Sequence, residues 1–344
     1  MSRKHRPHRR FRSVEGWEPD LDGGMLGDEL RERLGRLDST LWDVVGGEQA
    51  PNGLDAEEFR AHGGLRLRSL LVLLSARAAR AGREEDRARL EADDHVAVAA
   101  ELLHLATLLQ AAALGRHQDG RRRRAARRLL GGAVSWVTGH QLTLRALEVA
   151  RYAHTPEVLG DLVDAMREVS DGHALSEELH QRPATVDDCF AHADGHTGAV
   201  FAFACRAGAR MGDADRRVLS SLGRYGRRSG VAWHLSQDLH LLDQAASGRA
   251  RGLADRAVMH RPNLAVTLAA DQDDGVLPLW EALARDADPE LADQLVRRVE
   301  RTGSMAVVRE RLVQESWSAR KALSNVPRSD HRDALDQLVM RLAG

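Results

Sequence analysis

The chain has 344 residues, of which 43% are hydrophobic and only 4% aromatic, and its formal net charge is −1. This length and apolar content allow one large core or two smaller ones, while the near-zero charge provides no general attraction to nucleic acid or anionic membranes. The sequence contains no apolar run of membrane-spanning length and no signal peptide, and its two cysteines imply no disulfide framework. We therefore expect a soluble, cytoplasmic protein with no membrane span and no nucleic-acid partner.

The first 20 residues form a basic segment that is broken by prolines and lacks apolar periodicity. Such a composition predicts a disordered tail, and residues 21–344 are predicted to form one helical domain. From Leu26 to Val44 apolar residues recur at helical spacing, which predicts a helix with a single apolar face. The Gly46-Gly47 pair is expected to end this helix.

A phosphate-binding pattern follows in the segment GGLRLRS, residues 63–69. A glycine pair precedes a strongly apolar helix, and Arg66 and Arg68 lie near its beginning. Helix N-termini offer free backbone N–H groups and arginine forks match phosphate oxygens, so this combination can form a phosphate site. The same residues also fit ordinary charges exposed on a helix.

The stretch from Asp93 to Gly115 is predicted to be the central helix of the core. Its apolar residues recur on nearly every side of a helix, and Asp93 and Asp94 stand where an N-cap is expected. His104 lies within this helix. A histidine in such a place is either a ligand-binding group or a core residue satisfied by its neighbours.

An arginine-rich segment comes next, with six arginines between positions 121 and 128. Arg121 and Arg122 open this run, which is larger than a solvated helix face requires. A phosphate clamp and a solvated or partner-facing run are both compatible with it. Further helices are predicted over 156–178 and in the C-terminal third, from residue 280 onwards.

Taken in order, these segments resemble the trans-isoprenyl diphosphate synthases, the polyprenyl synthetase family. The resemblance extends over residues 25–270 nearly without gaps, and it implies an all-α, isoprenoid synthase-type helical bundle around a central cavity. It also implies ligand roles for five residues. Arg66, Arg68 and His104 match the residues that hold a homoallylic diphosphate in the family, and Arg121 and Arg122 match the pair that holds an allylic diphosphate.

The same resemblance assigns the positions that line the cavity, and here the chain departs from the family. Family members carry aspartates seven, eight and eleven positions after the place of His104, and these are replaced by Ala111, Ala112 and Gly115. In the second aspartate-rich motif only one of three carboxylates is kept. The other implied cavity positions are His196, Thr197, His234, Gln237 and Asp238.

These replacements affect the metal chemistry that the resemblance would otherwise imply. Mg²⁺ requires hard oxygen ligands, and the family reaction uses it to neutralise the leaving diphosphate. One remaining aspartate cannot build a cluster of several ions. We therefore predict no metal site and no cofactor, with Mg²⁺ needed only if the protein is an active enzyme, and we do not expect ordinary prenyl elongation.

Two functions remain open at this stage. The first is a non-catalytic or strongly modified homologue that acts as a regulatory or structural subunit of a prenyl synthase. It would be a homodimer or a heterodimer with an active prenyl synthase, with an isoprenoid diphosphate as a candidate ligand, and small residues such as Ala97, Ala99 and Ala111 would permit close helix approach between subunits. The second is an active terpene synthase-like or prenyltransferase-like enzyme in which arginines replace the metals.

Two further patterns suggest other chemistry. Residues 271–274 spell the DxDD motif of proton-initiated terpene cyclases, but their polar context predicts a loop. By the resemblance, His196, His234 and His240 lie on segments that face one cavity beside Asp238. Imidazole together with carboxylate suits a transition metal better than Mg²⁺.

Overall fold

The structure is a computed structural model that describes residues 25–46, 66–80, 87–114, 132–259, 261–286 and 288–342. Within these ranges every regular element is helical, as predicted. The predicted N-terminal tail lies outside the described residues. The α-helices are α1 (Met25–Val45), α2 (Leu67–Arg80), α3 (Arg87–Leu114), α4 (Gly132–Ala150), α5 (Pro156–Glu178), α6 (Val186–Ala193), α7 (Ala199–Met211), α8 (Arg216–Ala246), α9 (Arg251–Val258), α10 (Leu264–Ala270), α11 (Val276–Asp286), α12 (Pro289–Thr302), α13 (Ser304–Ala322) and α14 (Asp330–Leu342).

Helix α2 lies within the core, and all 14 of its residues are buried. It packs against α3 and α7, and α7 in turn packs against α8, the longest described helix. Leucine, valine and alanine fill these contacts, and each leucine buried in this way contributes about 1.5–3 kcal/mol to stability. These four helices form the frame on which the polar side chains of the interior are held.

The crossing of α2 and α7 depends on two glycines. A Cβ atom at Gly208 would overlap the carbonyl oxygen of Val72, and one at Gly212 would overlap the carbonyl oxygen of Ala76. Because the two backbones touch directly, any larger residue at either glycine would force the helices apart.

Helix α3 is buried along most of its length, as its apolar pattern predicts, but its beginning was predicted wrongly. The helix starts at Arg87, and Asp93 lies inside it with a fully buried side chain. Arg80 donates two hydrogen bonds of 2.7 Å to the Asp93 carboxylate, and Arg33 donates one of 2.6 Å to Asp94. The two aspartates therefore tie α3 to α2 and α1 instead of capping a helix.

The alanines expected at a subunit interface are used inside the chain. Ala97 and Ala99 are fully buried in the core, and Ala111 is only 6% exposed. Most of the exposed large apolar side chains lie on other helices, several of them on α4 and just after it. Ala97 and Ala99 therefore serve the packing of α3 within the chain.

No described helix is both long and apolar enough to cross a bilayer.

Candidate functional site

The site begins at the residue that precedes α2. Arg66 has a positive φ of 49° and donates a hydrogen bond of 2.6 Å from Nε to the Asp38 carboxylate on α1. Its side chain is 6% exposed. Arg66 is therefore fixed by an ion pair within the chain and is not a charge exposed on a helix.

The beginning of α2 is capped from a distant helix. Glu101 of α3 accepts hydrogen bonds from the backbone N–H groups of Arg68 and Ser69, at 2.9 and 3.1 Å. This carboxylate satisfies two of the four free donors at the helix N-terminus. The Arg68 guanidinium is buried 5.2 Å from the centre of the Phe201 ring, and burial lowers its pKa although Glu101 opposes the shift.

His104 lies close to these arginines, as the sequence predicts. Burial, and then the charges of Arg68, Arg66 and Arg261, hold the pKa of His104 well below its usual value. The imidazole is neutral at pH 7. The structure thus brings together three of the five predicted diphosphate ligands and adds Arg261 to them, while Arg121 and Arg122 lie outside the described residues.

A π-helical turn, Asp194–Gly198, connects α6 to α7 and presents His196 and Thr197 to the interior. Two glycines allow it to pack tightly on α5. A Cβ at Gly195 would lie 3.3 Å from the Cα of Gly172, and one at Gly172 would lie 3.1 Å from the His196 ring. Such single π turns occur frequently at functional sites because they redirect side chains within a continuous helix.

Four histidines form a row in this region. The ring centres of His173 and His196 are 4.6 Å apart, those of His196 and His192 are 4.3 Å apart, and those of His192 and His234 are 5.3 Å apart. Burial is the largest cause that lowers the pKa of each ring, to about 4 for His173 and well below the usual value for the others. All four are therefore neutral at pH 7.

The one remaining carboxylate of the second motif is already engaged. Arg256 of α9 forms a buried ion pair with Asp238, and the backbone N–H of Leu264 donates a 3.0 Å hydrogen bond to the same carboxylate. Burial raises the pKa of Asp238 to about 6, against the opposing charge of Arg256. Both carboxylate oxygens thus have donors from the chain itself.

Arg256 also fixes the protonation of a neighbouring ring. Its Nη2 lies 2.7 Å from Nε2 of His234, and Nδ1 of His234 lies 3.0 Å from Oγ1 of Thr197. A guanidinium can only donate. Nε2 of His234 must therefore accept, and the ring carries its proton on Nδ1, from which it donates to Thr197.

Arg261 is a second cation near the histidines, beside Arg256. Its positive charge lowers the pKa of five histidines, which requires a position among them; these are His104, His173, His192, His196 and His234. Burial lowers its own pKa to about 10, followed by repulsion from Arg256.

The other predicted cavity residues are placed less centrally. Ala111 is buried and Gln237 is partly exposed, while Gly115 and the side chain of Ala112 lie outside what the structure describes. His240 is buried on α8, and its charge lowers the pKa of Asp243. The DxDD segment is a loop, as predicted. Its Asp273 accepts hydrogen bonds from Arg298 and from the backbone of Gly275.

Sequence reasoning missed three residues of the site. His173 and His192 were not assigned a role, although the spacing of four between His192 and His196 is a signal that could have linked them on one helix face. Arg256 carried no signal, because its partner Asp238 is 18 residues away on another helix.

The residues present do not fit the metal ions that the family resemblance implies. Ala111 offers no ligand, the side chain of Leu241 packs against the core, and Asp238 is held by Arg256. Among the described residues, no group of three or more His, Cys, Asp or Glu side chains is arranged to hold a metal ion. The surrounding cations Arg256 and Arg261 would also repel one.

Residues 56–252 match the sequence profile of the polyprenyl synthetase family. The chain belongs to this family. It is 29% identical over 218 residues to the (2E,6E)-farnesyl diphosphate synthase of Mycobacterium tuberculosis, an alignment that spans 61% of this chain and only 58% of that relative. It is 24% identical over 280 residues to the octaprenyl diphosphate synthase of Escherichia coli, across 79% of this chain and 83% of the relative.

Solved structures of the polyprenyl synthetase family show the same fold. A polyprenyl synthase from Caulobacter crescentus, complexed with calcium and isoprenyl diphosphate, superposes with a TM-score of 0.77 at 23% identity, covering 97% of this chain and 98% of that one. A decaprenyl diphosphate synthase from Rhodobacter capsulatus gives 0.75 at 23% identity, covering 92% and 97%. The predicted all-α isoprenoid synthase fold is thus confirmed.

The ion pair between Arg256 and Asp238 leads to a testable result. Replacing Arg256 by Gln leaves a buried carboxylate without its cation, which we expect to lower the free energy of unfolding by about 3–5 kcal/mol. Adding Asp238→Asn should restore most of the loss because both groups are then neutral. Urea unfolding measures the changes.

The control is Arg251→Gln on the same helix. Arg251 forms an exposed pair with Asp255 that spans 3.7 Å, so this change should alter the free energy of unfolding by less than about 0.5 kcal/mol. Equal effects of Arg256→Gln and Arg251→Gln would contradict the assignment.

The histidine row predicts acid sensitivity. In the unfolded chain these rings take up protons below about pH 6.5, whereas in the fold His173 does so only at about pH 4. Stability should therefore fall as the pH drops through this interval, by up to about 3 kcal/mol for His173 alone. Asp238 has the opposite sign, since its pKa is raised to about 6, and it offsets part of the loss.

Urea unfolding at about pH 7 and at about pH 5 tests this expectation. His173→Gln should reduce the difference between the two pH values, while His140→Gln, at an exposed position of α4, should leave it unchanged. A stability that does not fall between these pH values would show that the rings are not held neutral.

Proposed function

We propose that this chain is a polyprenyl synthetase family member that does not carry out Mg²⁺-dependent chain elongation by itself. In this proposal it acts in the cytoplasm as a regulatory or structural subunit of a prenyl synthase. The observation that supports it most directly is the buried Asp238 carboxylate, which is bound by Arg256 and by the Leu264 N–H.

The chemical reason lies in the charge of the leaving group. Departure of a diphosphate concentrates negative charge, and electrostatic stabilisation of that charge is usually the largest contribution to catalysis. Metal-dependent enzymes supply it through ions bridged to carboxylates. Asp238 cannot bridge an ion while Arg256 holds it, and Leu241 at the next motif position packs against the core.

The cations of the site support retained binding of an isoprenoid diphosphate. Arg68 is buried and Arg261 is partly buried, and the charges of both lower the pKa of His104. A diphosphate would supply negative charge to pair with these cations. This observation also favours the second candidate, an active enzyme that uses arginines where its relatives use metal ions.

A partner surface on α4 supports the subunit role. Trp136, Val137 and Leu144 are 47%, 54% and 49% exposed, and Tyr152, just beyond the helix, is 54% exposed. The exposed positions of α4 recur every three to four residues, so these side chains share one face of the helix. A cluster of large apolar side chains on one face is typical of a protein–protein interface. We propose a second copy or an active prenyl synthase as the occupant.

Turnover by the isolated protein separates the two candidates. With allylic and homoallylic diphosphates and Mg²⁺, we expect no elongated product, because the site lacks bridging carboxylates. When it is mixed with an active prenyl diphosphate synthase from the same genome, we expect a change in product amount or length. Arg261→Gln is the matched variant: product that persists unchanged in this variant comes from a contaminant, whereas product that disappears would establish an active enzyme.

Assembly is tested through the α4 surface. Leu144→Arg places a charge in the proposed interface, so we expect the dimer mass measured by light scattering to fall to that of a monomer. Val307→Arg is the control, since Val307 is also exposed, at 41%, but lies on α13. A wild-type protein that is monomeric alone and in the presence of the active synthase would exclude the subunit role.

A further inference from the structure

One nitrogen atom of Arg256 lies between two groups that commonly bind metal ions. Its Nη2 donates a hydrogen bond to Oδ1 of Asp238 and lies 2.7 Å from Nε2 of His234. The two acceptor atoms are 3.9 Å apart, and the side chains of Arg256 and Asp238 are only 10% and 2% exposed. A single positive charge therefore occupies the buried position between a carboxylate oxygen and an imidazole nitrogen.

The two acceptors lie on one face of α8. His234 and Asp238 are four positions apart, so their side chains are neighbours on the helix surface. Paired metal ligands on helices use the same spacing, because such side chains converge on one ion. A Zn²⁺ ion binds imidazole nitrogen and carboxylate oxygen at about 2.0–2.2 Å, which is long enough to bridge two atoms 3.9 Å apart. The pair has the composition and span of a two-ligand chelate, and within the described ranges no third such side chain completes it.

The surroundings orient both acceptors as they do in metal sites. Nδ1 of His234 donates to Oγ1 of Thr197 at 3.0 Å, which leaves Nε2 as the accepting atom. The backbone N–H of Leu264 donates to Oδ2 of Asp238 at 3.0 Å, which leaves Oδ1 for the cation. Metal-binding histidines and carboxylates are fixed by outer hydrogen bonds of this kind. An ordinary ion pair between arginine and aspartate needs no accepting histidine, so this arrangement points to a position shaped for a cation.

The guanidinium also connects separate parts of the chain. Its Nε donates to the carbonyl oxygen of Pro262 at 3.3 Å, just before α10. Asn263 donates from Nδ2 to the backbone carbonyl of Asp238 at 3.1 Å. Arg256 therefore joins α9, α8 and the segment that leads into α10, which is the kind of cross-link that a bound metal ion provides.

We propose that the Arg256 guanidinium is a built-in cation that occupies the position of a divalent ion between His234 and Asp238, and that these two residues bind a transition-metal ion once the guanidinium is removed. Imidazole together with carboxylate suits Zn²⁺ better than Mg²⁺. The inference goes beyond the proposed function and does not rest on it, because an active enzyme that uses arginines would contain the same contacts.

The test begins with Arg256→Ala, which removes the guanidinium and leaves its space open. Arg256 lowers the pKa of His234 more than Arg261 does, so the ring becomes a better ligand when Arg256 is absent. Calorimetric titration with Zn²⁺ at about pH 7, where both ligands are deprotonated, should show one saturable site per chain more than the wild type. Sites on other histidines contribute equally to both proteins and cancel in the comparison.

Urea unfolding of Arg256→Ala measures the same binding through stability. At a Zn²⁺ concentration of about 100 times the dissociation constant, the equilibrium constant for unfolding should fall about 100-fold relative to EDTA. Arg256→Lys is the matched control, because it keeps a cation in the same region and should respond to Zn²⁺ as the wild type does.

Two double variants separate metal binding from the loss of an ion pair. Added to Arg256→Ala, His234→Gln and Asp238→Asn each remove one ligand, and each should abolish the additional Zn²⁺ site. Asp238→Asn also removes the unpaired buried carboxylate, so this double variant should be more stable in EDTA than Arg256→Ala alone. A purely structural ion pair predicts that recovery too, but it predicts no recovery by Zn²⁺.

Three results would overturn the inference: no additional Zn²⁺ site in Arg256→Ala, a site that survives His234→Gln, or a wild-type Zn²⁺ site that His234→Gln abolishes. If Arg256→Ala does not fold in EDTA, it is refolded with Zn²⁺, because metal binding contributes directly to folding. A chain that then stays unfolded by circular dichroism at every Zn²⁺ concentration would also contradict the inference. Turnover of allylic diphosphates by the wild type would contradict the proposed function and leave these Zn²⁺ results unchanged.

Discussion

The buried ion pair between Arg256 and Asp238 determines what the interior of this protein can bind. Two charges in a region of low dielectric constant attract each other strongly, and removing either one leaves the other exposed to a large desolvation penalty. Arg256 also fixes the tautomer of His234, which in turn donates a hydrogen bond to the Thr197 hydroxyl. Several side chains of the site therefore depend on one contact between α8 and α9.

The pairing of the remaining carboxylate with an arginine gives the site a different character from a metal centre. A free carboxylate attracts divalent cations, whereas one held by a guanidinium beside neutral imidazoles offers them little. The match over residues 56–252 places this chain in the polyprenyl synthetase family, but the Asp238 carboxylate is already paired with Arg256. Fold similarity therefore says less about the reaction than the identity of a few side chains does.

Much of the fold was predictable because it depends on local signals. Helix α5 begins at Pro156 and ends at Glu178, the limits that the sequence pattern indicated, since proline fixes the first turn. The role of Asp93 was not predictable in this way, because its partner Arg80 belongs to another helix and a local pattern cannot distinguish an N-cap from a long-range ion pair.

The same limit applies to the candidate site. Arg66, Arg68 and His104 came from a contiguous motif resemblance, while the histidine row combines α5, α6, the π turn and α8.

The π turn has a consequence for the length of the chain in this region. It contains one residue more than an α-helix of the same rise would need, and the Ala199 N–H reaches back to the Asp194 carbonyl. Deleting one residue from it would close the wide turn and restore regular α-helix, while α6 and α7 would keep their alignment. The side chains of the turn itself, His196 and Thr197, would then point in other directions. Homologues that lack this extra position would therefore present the same residue types differently to His173 and His192.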